Sequence, residues 1–117
     1  MIKLRPEQLE ALAVVAMQQA IDRLMARLRV SCPSQTREMD DATLRREVEA
    51  GIAQAARYGL ATENRVAVFL ECRLDLGPDF DTREAWASDA LNNTGLFPHE
   101  KAEALSDRDM LGGGGES

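Results

Sequence analysis

The sequence predicts an all-α protein. Its apolar residues recur at three- and four-residue intervals in four long segments, which is the period of a helix. No segment alternates apolar and polar residues for long enough to indicate a strand. With 117 residues the chain is large enough for one hydrophobic core. We therefore predict a compact array of four main helices plus a short C-terminal helix in a single domain, residues 1–105, followed by a flexible glycine tail, residues 106–117.

The first helix is predicted to run from Pro6, which suits a first helical turn, to about Val30. Residues 2–4 before it are expected to form an extended arm, and the polar stretch 31–39 after it contains Pro33 and reads as a loop. An apolar stripe extends over little more than two heptads, fewer than a coiled coil requires, so packing within the domain is favoured. A homodimer through this helix stays open. The stripe consists of Val14, Met17, Ile21, Leu24 and Leu28.

The second helix is predicted to begin after a capping Asp40 or Asp41 and to end at Gly59. Gly51 lies inside it, where glycine costs roughly 0.5–1 kcal/mol relative to alanine. Either this cost is tolerated or another helix approaches closely there, and the sequence leaves both readings open. The apolar face consists of Leu44, Val48, Ile52, Ala55 and Ala56.

The third helix, residues 63–76, is the element around which we expect the domain to be built. Thr62 can cap its first turn, and Gly77 followed by Pro78 ends it. Apolar residues occupy two of its sides, so it should lie between other helices rather than on a surface. The two stripes are Val66, Phe69, Leu70 and Leu74, and Val68, Cys72 and Leu76.

The last two helices are predicted from capping signals. Asp81 and Glu84 match a capping box that would begin the fourth helix, and residues 92–95 would end it. A short, loosely held helix is expected over residues 98–105. The positions predicted to face the core are Trp86, Ala87, Ala90 and Leu91 in the fourth helix, and Ala102 and Leu105 in the last.

Charge and hydropathy exclude several classes of protein. The net charge of -6 argues against nucleic acid as a partner, because nucleic-acid binders concentrate Lys and Arg on one face. No uncharged run is long enough to cross a membrane, and no secretory signal is recognisable. We expect a cytoplasmic protein that binds neither nucleic acid nor membrane.

The sequence contains no recognisable catalytic motif. His99 is the single histidine, and no Ser or Cys with an orienting carboxylate surrounds it. Two separated cysteines and one histidine do not supply a zinc site, and no phosphate-binding glycine loop follows a strand. We therefore expect a protein that has no catalytic residues, binds no metal or cofactor, and is not an enzyme.

Binding to another protein is the remaining candidate function, and aromatic residues are the usual anchors at protein interfaces. For each aromatic candidate, packing in the core is the competing reading. Phe80 and Phe97 are favoured because they lie in predicted turns. The predicted partner-binding residues are Phe80, Phe97, Asp79, Asp81, Trp86 and Tyr58.

Several short motifs in residues 44–105 resemble those of a family of small bacterial proteins. They are Tyr-Gly-Leu-Ala-Thr-Glu at 58–63, Leu-Gly-Pro-Asp-Phe-Asp at 76–81, Trp86, and Leu-Asn at 91–92. The members resemble accessory proteins encoded beside type VI secretion toxins, spike proteins and effector chaperones. The resemblance implies a helical fold and no catalytic residues.

It also leads to a functional hypothesis: an adaptor or co-chaperone that binds a toxin, or the secretion chaperone that loads the toxin. Two alternatives are an immunity protein that uses Asp79 and Asp81 against a toxin's basic groove, and a DNA-binding regulator. The regulator would present Arg45, Arg46 and Arg57 from the second helix.

Overall fold

A computed structural model describes the backbone of residues 6–113 and the side chains of residues 15–107. Within that part of the chain all regular structure is helical, which confirms the predicted fold class. Neither the arm predicted at residues 2–4 nor residues 114–117 of the predicted tail are among the described residues. The described residues form seven helices, which are α1 Pro6–Ser31, α2 Pro33–Thr36, α3 Asp41–Ala56, α4 Glu63–Leu76, α5 Phe80–Arg83, α6 Ala85–Leu91 and α7 Pro98–Gly113.

The central position of α4 is confirmed. It packs against α1, α3, α5 and α7. Its bounds are the predicted ones, with the Thr62 side chain accepting a hydrogen bond from the Arg65 N–H at 3.3 Å and Gly77 at a φ of 109°. Six of its side chains are buried, and together they form the middle of the core: Val66, Ala67, Val68, Phe69, Leu70 and Cys72.

The packing of α3 on α4 explains the glycine inside α3. A Cβ atom built on Gly51 would lie 2.2 Å from Cδ2 of Leu70. Gly51 is therefore the place where α4 approaches the α3 backbone. Of the two explanations for this glycine, the close approach of another helix is the correct one. Of the two predicted caps, Asp40 and Asp41, it is Asp40 that caps this helix, since its Oδ1 accepts the Thr43 N–H at 2.8 Å.

The stretch predicted as a loop between the first two long helices contains α2 and is held by one side chain. Arg29 donates to the carbonyl oxygens of Thr36 at 2.9 Å and Met39 at 3.0 Å. It also forms an ion pair with Asp41 at 3.0 Å. Residues 32–40 are thus fastened to the end of α1.

The predicted start of the fourth helix is wrong. Two short helices, α5 and α6, replace it, and they meet at Glu84, whose ψ of 115° is extended. Asp81 is not a helix cap: it lies inside α5, is 5 % exposed, and accepts a hydrogen bond from the Tyr58 hydroxyl at 2.6 Å. The packing prediction for this region holds in part, because Ala87 and Leu91 are buried whereas Trp86 and Ala90 are partly buried.

The last helix is longer than predicted. α7 continues to Gly113, so it extends into the stretch expected to be a tail. Ala102 and Leu105 are buried, as predicted. None of the helices in the described part of the chain has both the length and the hydropathy needed to cross a membrane.

Candidate protein-binding surface

The first helix is only partly covered by the rest of the chain. Ile21, Leu24 and Leu28 are buried in the core, whereas Val15 is 53 % exposed and Met17 46 % exposed. The reason is a difference in length: α1 has 26 residues, and its neighbours α3 and α4 have 16 and 14. At 1.5 Å per residue α1 is about 15 Å longer than α3, so it extends beyond the helices that cover it.

A groove runs beside this uncovered stretch, between α1, α3 and the start of α4. One hollow of about 350 Å³ lies on the α4 side, and another of about 250 Å³ lies on the α3 side. Met17 and Ile52 line both hollows, so the two adjoin. We call them together the α1 groove. Its apolar lining includes Met17, Ala20, Leu24, Ile52, Ala61 and Val66.

Charged residues stand at the edges of the α1 groove. Glu63, on the α4 side, is held by Arg23, which donates to its carboxylate through Nη2 at 2.7 Å and Nε at 3.0 Å. This hydrogen bond lowers the pKa of Glu63 and raises the pKa of Arg23. Glu49, on the α3 side, is exposed and forms no ion pair with any described side chain. The groove therefore has one compensated and one uncompensated acidic edge.

Ion pairs hold the walls of the groove in place. Arg27 of α1 pairs with Glu71 of α4 at 3.4 Å and donates to the Asn64 side chain at 2.9 Å. Arg45 of α3 pairs with Asp22 of α1. Together with the pair of Arg23 and Glu63, these contacts join α1 to both of its neighbours.

Phe80, one of the two favoured partner-binding residues, is placed in the core. It is 0 % exposed, and its ring centroid lies 5.0 Å from that of Phe69. The turn that carries it points inward, toward α4. The prediction that Phe80 contacts a partner is therefore wrong for this structure.

Tyr58 and Asp81 form a structural pair rather than a binding surface. The Tyr58 ring is partly buried and lies 6.1 Å from the Phe69 ring. Burial, followed by the hydrogen bond to Asp81, raises the pKa of Tyr58 to about 12. This pair joins the end of α3 to α5, and the burial of Asp81 withdraws its carboxylate from any partner.

The remaining predicted site residues differ in exposure. Asp79 is exposed but accepts a hydrogen bond from Arg83 at 2.8 Å, and Trp86 is partly buried against the core. Phe97 is 68 % exposed, and its ring is stacked on His99 with centroids 6.0 Å apart. Of the four aromatic candidates, Phe97 alone presents most of its side chain to solvent.

The sequence did not identify the α1 groove, because Met17 and Ile52 lie on stripes that read as core. A signal was present in the length of the first predicted helix, which exceeds that of the helices predicted to cover it. Length alone, however, does not say where along α1 the covering helices sit.

The alternatives raised for the sequence gain no support here. Of the three arginines named for a DNA-binding regulator, Arg45 is bound to Asp22 and to the Gln18 side chain, whereas Arg46 and Arg57 are exposed and form no ion pair with described side chains. Asp79 and Asp81 are both engaged within the chain. Among the described residues, no three His, Cys, Asp or Glu side chains are grouped so that they could hold a metal ion.

Comparison with known proteins yields no relative. The chain matches no protein-family model, no curated protein and no solved structure. The resemblance to accessory proteins of type VI secretion therefore stays a prediction.

Proposed function

We propose that the chain is a cytoplasmic, non-catalytic adaptor or co-chaperone that binds a type VI secretion toxin or the chaperone that loads it. The observation that supports this proposal is the α1 groove, an apolar hollow beside the half-exposed Met17. Contiguous apolar surface of this kind is typical of sites that bind protein.

The partner element that suits the groove is an amphipathic helix. Such a helix would lay its apolar stripe along α1 and contact Met17, Ile52 and Val66. Fully burying a side chain of this size contributes about 1.5–3 kcal/mol, so covering the half-exposed Met17 contributes about half as much. Specificity then depends on how well the stripe fits the groove rather than on area alone.

Charge favours a basic flank on that helix. Glu49 at the groove edge forms no ion pair with any of the described side chains, and the chain carries a net charge of -6. A Lys or Arg beside the apolar stripe of the partner would complement Glu49, and the overall charge would accelerate encounter with a basic partner.

The test is a pull-down of the tagged chain from its native cell, with mass spectrometry of the bound proteins. Met17→Asp introduces a charge into the groove. Val30→Asp is the matched control, because Val30 is 83 % exposed on the same helix and does not line the groove. We expect the wild type and Val30→Asp to capture a toxin or secretion chaperone, and Met17→Asp to lose it.

Two results would contradict the proposal. One is capture of the same toxin or chaperone by Met17→Asp at the wild-type level, which would place binding elsewhere. The other is the recovery of neither a toxin nor a chaperone by the wild type. An export assay separates the adaptor from an immunity protein, because an adaptor changes the export of the toxin whereas an immunity protein rescues a poisoned cell.

A further inference from the structure

A second concave site lies between α4 and α7. It is a cleft of about 290 Å³ and shares no lining residue with the α1 groove. Its apolar part comes from Val68 and Ala102, which are buried. The polar side chains around it are Asn64 and Arg65 of α4 and His99, Glu103 and Ser106 of α7.

Two opposite charges line this cleft without neutralising each other. Arg65 is half-buried, yet it forms no ion pair with any described side chain, Glu103 included. Glu103 likewise has no cation among the described side chains. The other half-buried arginines of the described chain, such as Arg29 and Arg73, are paired with carboxylates. Arg65 thus differs from these arginines in lining a cleft without pairing with a described carboxylate.

Other hydrogen-bonding side chains surround these two charges. The ring of His99 is held parallel to the Phe97 ring, with 8° between their planes. The Asn64 side-chain oxygen accepts from Arg27 at 2.9 Å, which leaves the amide nitrogen of Asn64 to donate. The Ser106 hydroxyl can donate or accept. A small polar ligand in the cleft would therefore meet donors and acceptors on both walls.

We infer that the cleft binds a free α-amino acid with a small aliphatic side chain. Its carboxylate would bind the Arg65 guanidinium, a charge-assisted contact for which arginine is well suited. Its ammonium group would donate to Glu103, and its side chain would pack on Val68 and Ala102. A ligand with one charge is disfavoured, because an anion would face Glu103 and an amine would face Arg65.

Nuclear magnetic resonance titration of the full ¹⁵N-labelled chain tests this inference. The probes are L-alanine, L-valine and L-leucine, together with 3-methylbutanoate and isobutylamine, which are valine without its ammonium and without its carboxylate. We expect saturable shifts of the amides of residues 64–68 and 99–106 with at least one amino acid. For valine, each single-charge analogue should bind at least about tenfold more weakly, which is the scale of one lost charged contact.

Variants locate the two charges. Arg65→Met and Glu103→Gln should each weaken amino-acid binding at least about tenfold. Arg57→Met and Glu38→Gln are the matched controls, because Arg57 and Glu38 are exposed and also form no ion pair with described side chains. Both controls should leave the affinity unchanged. Amide dispersion in each spectrum reports that the variant is folded.

The inference fails if none of the three amino acids saturates these shifts below about 50 mM, a concentration that already corresponds to very weak binding. It also fails if 3-methylbutanoate binds as tightly as valine, which would indicate a plain anion site, or if Glu103→Gln binds normally. Met17→Asp should retain amino-acid binding, so a failure of the α1 groove as a partner site would not affect this result.

Discussion

At the scale of single residues, the hydrogen bond between Tyr58 and Asp81 is the contact most sensitive to substitution. Asp81 is buried, and the Tyr58 hydroxyl donates to its carboxylate at 2.6 Å. A buried carboxylate that loses a donor retains its cost of desolvation. The phenol contributes only if it keeps its proton, and the pKa of about 12 means that the folded protein holds this proton more tightly than the unfolded chain does.

We predict that Tyr58→Phe lowers the free energy of unfolding by about 1.5–3 kcal/mol at neutral pH, the range for a hydrogen bond to a charged group. The stability from Tyr58 is fully present below the unfolded tyrosine pKa of about 10. It is lost as the pH rises through about 12, because the folded state then gives up a proton that the unfolded chain has already released. Urea unfolding at several pH values measures both effects.

The phenylalanine variant is its own packing control, since it keeps the ring beside Phe69 and removes only the hydroxyl. The difference in stability between wild type and variant should shrink between pH 10 and 12. A constant difference across that range would contradict the raised pKa of Tyr58, and a loss below about 0.5 kcal/mol at neutral pH would show that the hydrogen bond contributes little.

Residue-level predictions from the sequence succeeded where both partners are close in the chain. The Asp40 and Thr62 caps bond to backbone groups three residues away, so the local pattern is sufficient. Asp81 has the same pattern as a cap, but its partner Tyr58 is 23 residues away. No local pattern reports that contact, and the capping box was therefore assigned in error.

At the scale of helices, the contact between α3 and α4 depends on a missing side chain. Gly51 lets the Leu70 side chain approach the α3 backbone, and a Cβ there would lie 2.2 Å from Leu70 Cδ2. Leu70 is buried in the middle of the core, so it has little room to move.

We predict that Gly51→Ala destabilises the protein by about 1–3 kcal/mol, the usual cost of overpacking, although alanine is the better helix former. The measurement is the urea midpoint of the variant. In a Leu70→Ala background the clash disappears, so the same change should there be neutral or stabilising. Equal costs in both backgrounds would mean that Gly51 is required for another reason.

The helices themselves were largely predictable, and their interruptions were not. α4 matches its predicted bounds because its cap and its glycine stop are both local. The break between α5 and α6 at Glu84 has no such signal, since it accompanies the packing of Phe80 against Phe69. The α1 groove was missed for a related reason: it depends on where α3 and α4 lie along α1, which is a property of the packed helices.

At the scale of the molecule, the packing of α7 determines whether it unfolds together with the other helices. The sequence indicated a short and loosely held final helix. In the structure α7 packs along α4 and beside α6, Leu105 is fully buried, and the Cys72 thiol donates to the Leu105 carbonyl oxygen at 3.7 Å. These contacts indicate an integral helix.

We predict that Leu105→Ala lowers the free energy of unfolding by about 2–5 kcal/mol, as for other buried leucines, while unfolding stays a single transition. Two probes test cooperativity: far-ultraviolet circular dichroism for all helices, and the fluorescence of Trp86, the single tryptophan, for α6. Glu103→Ala, an exposed change on the same helix, is the control and should cost less than about 0.5 kcal/mol.

If α7 were instead loosely attached, Leu105→Ala would cost less than about 1 kcal/mol or would separate the two transitions, because part of the helical signal would be lost before Trp86 reports unfolding. Coincident transitions would make the α4–α7 cleft, like the α1 groove, part of one cooperative unit, with two concave sites placed on different surfaces of the same central helix.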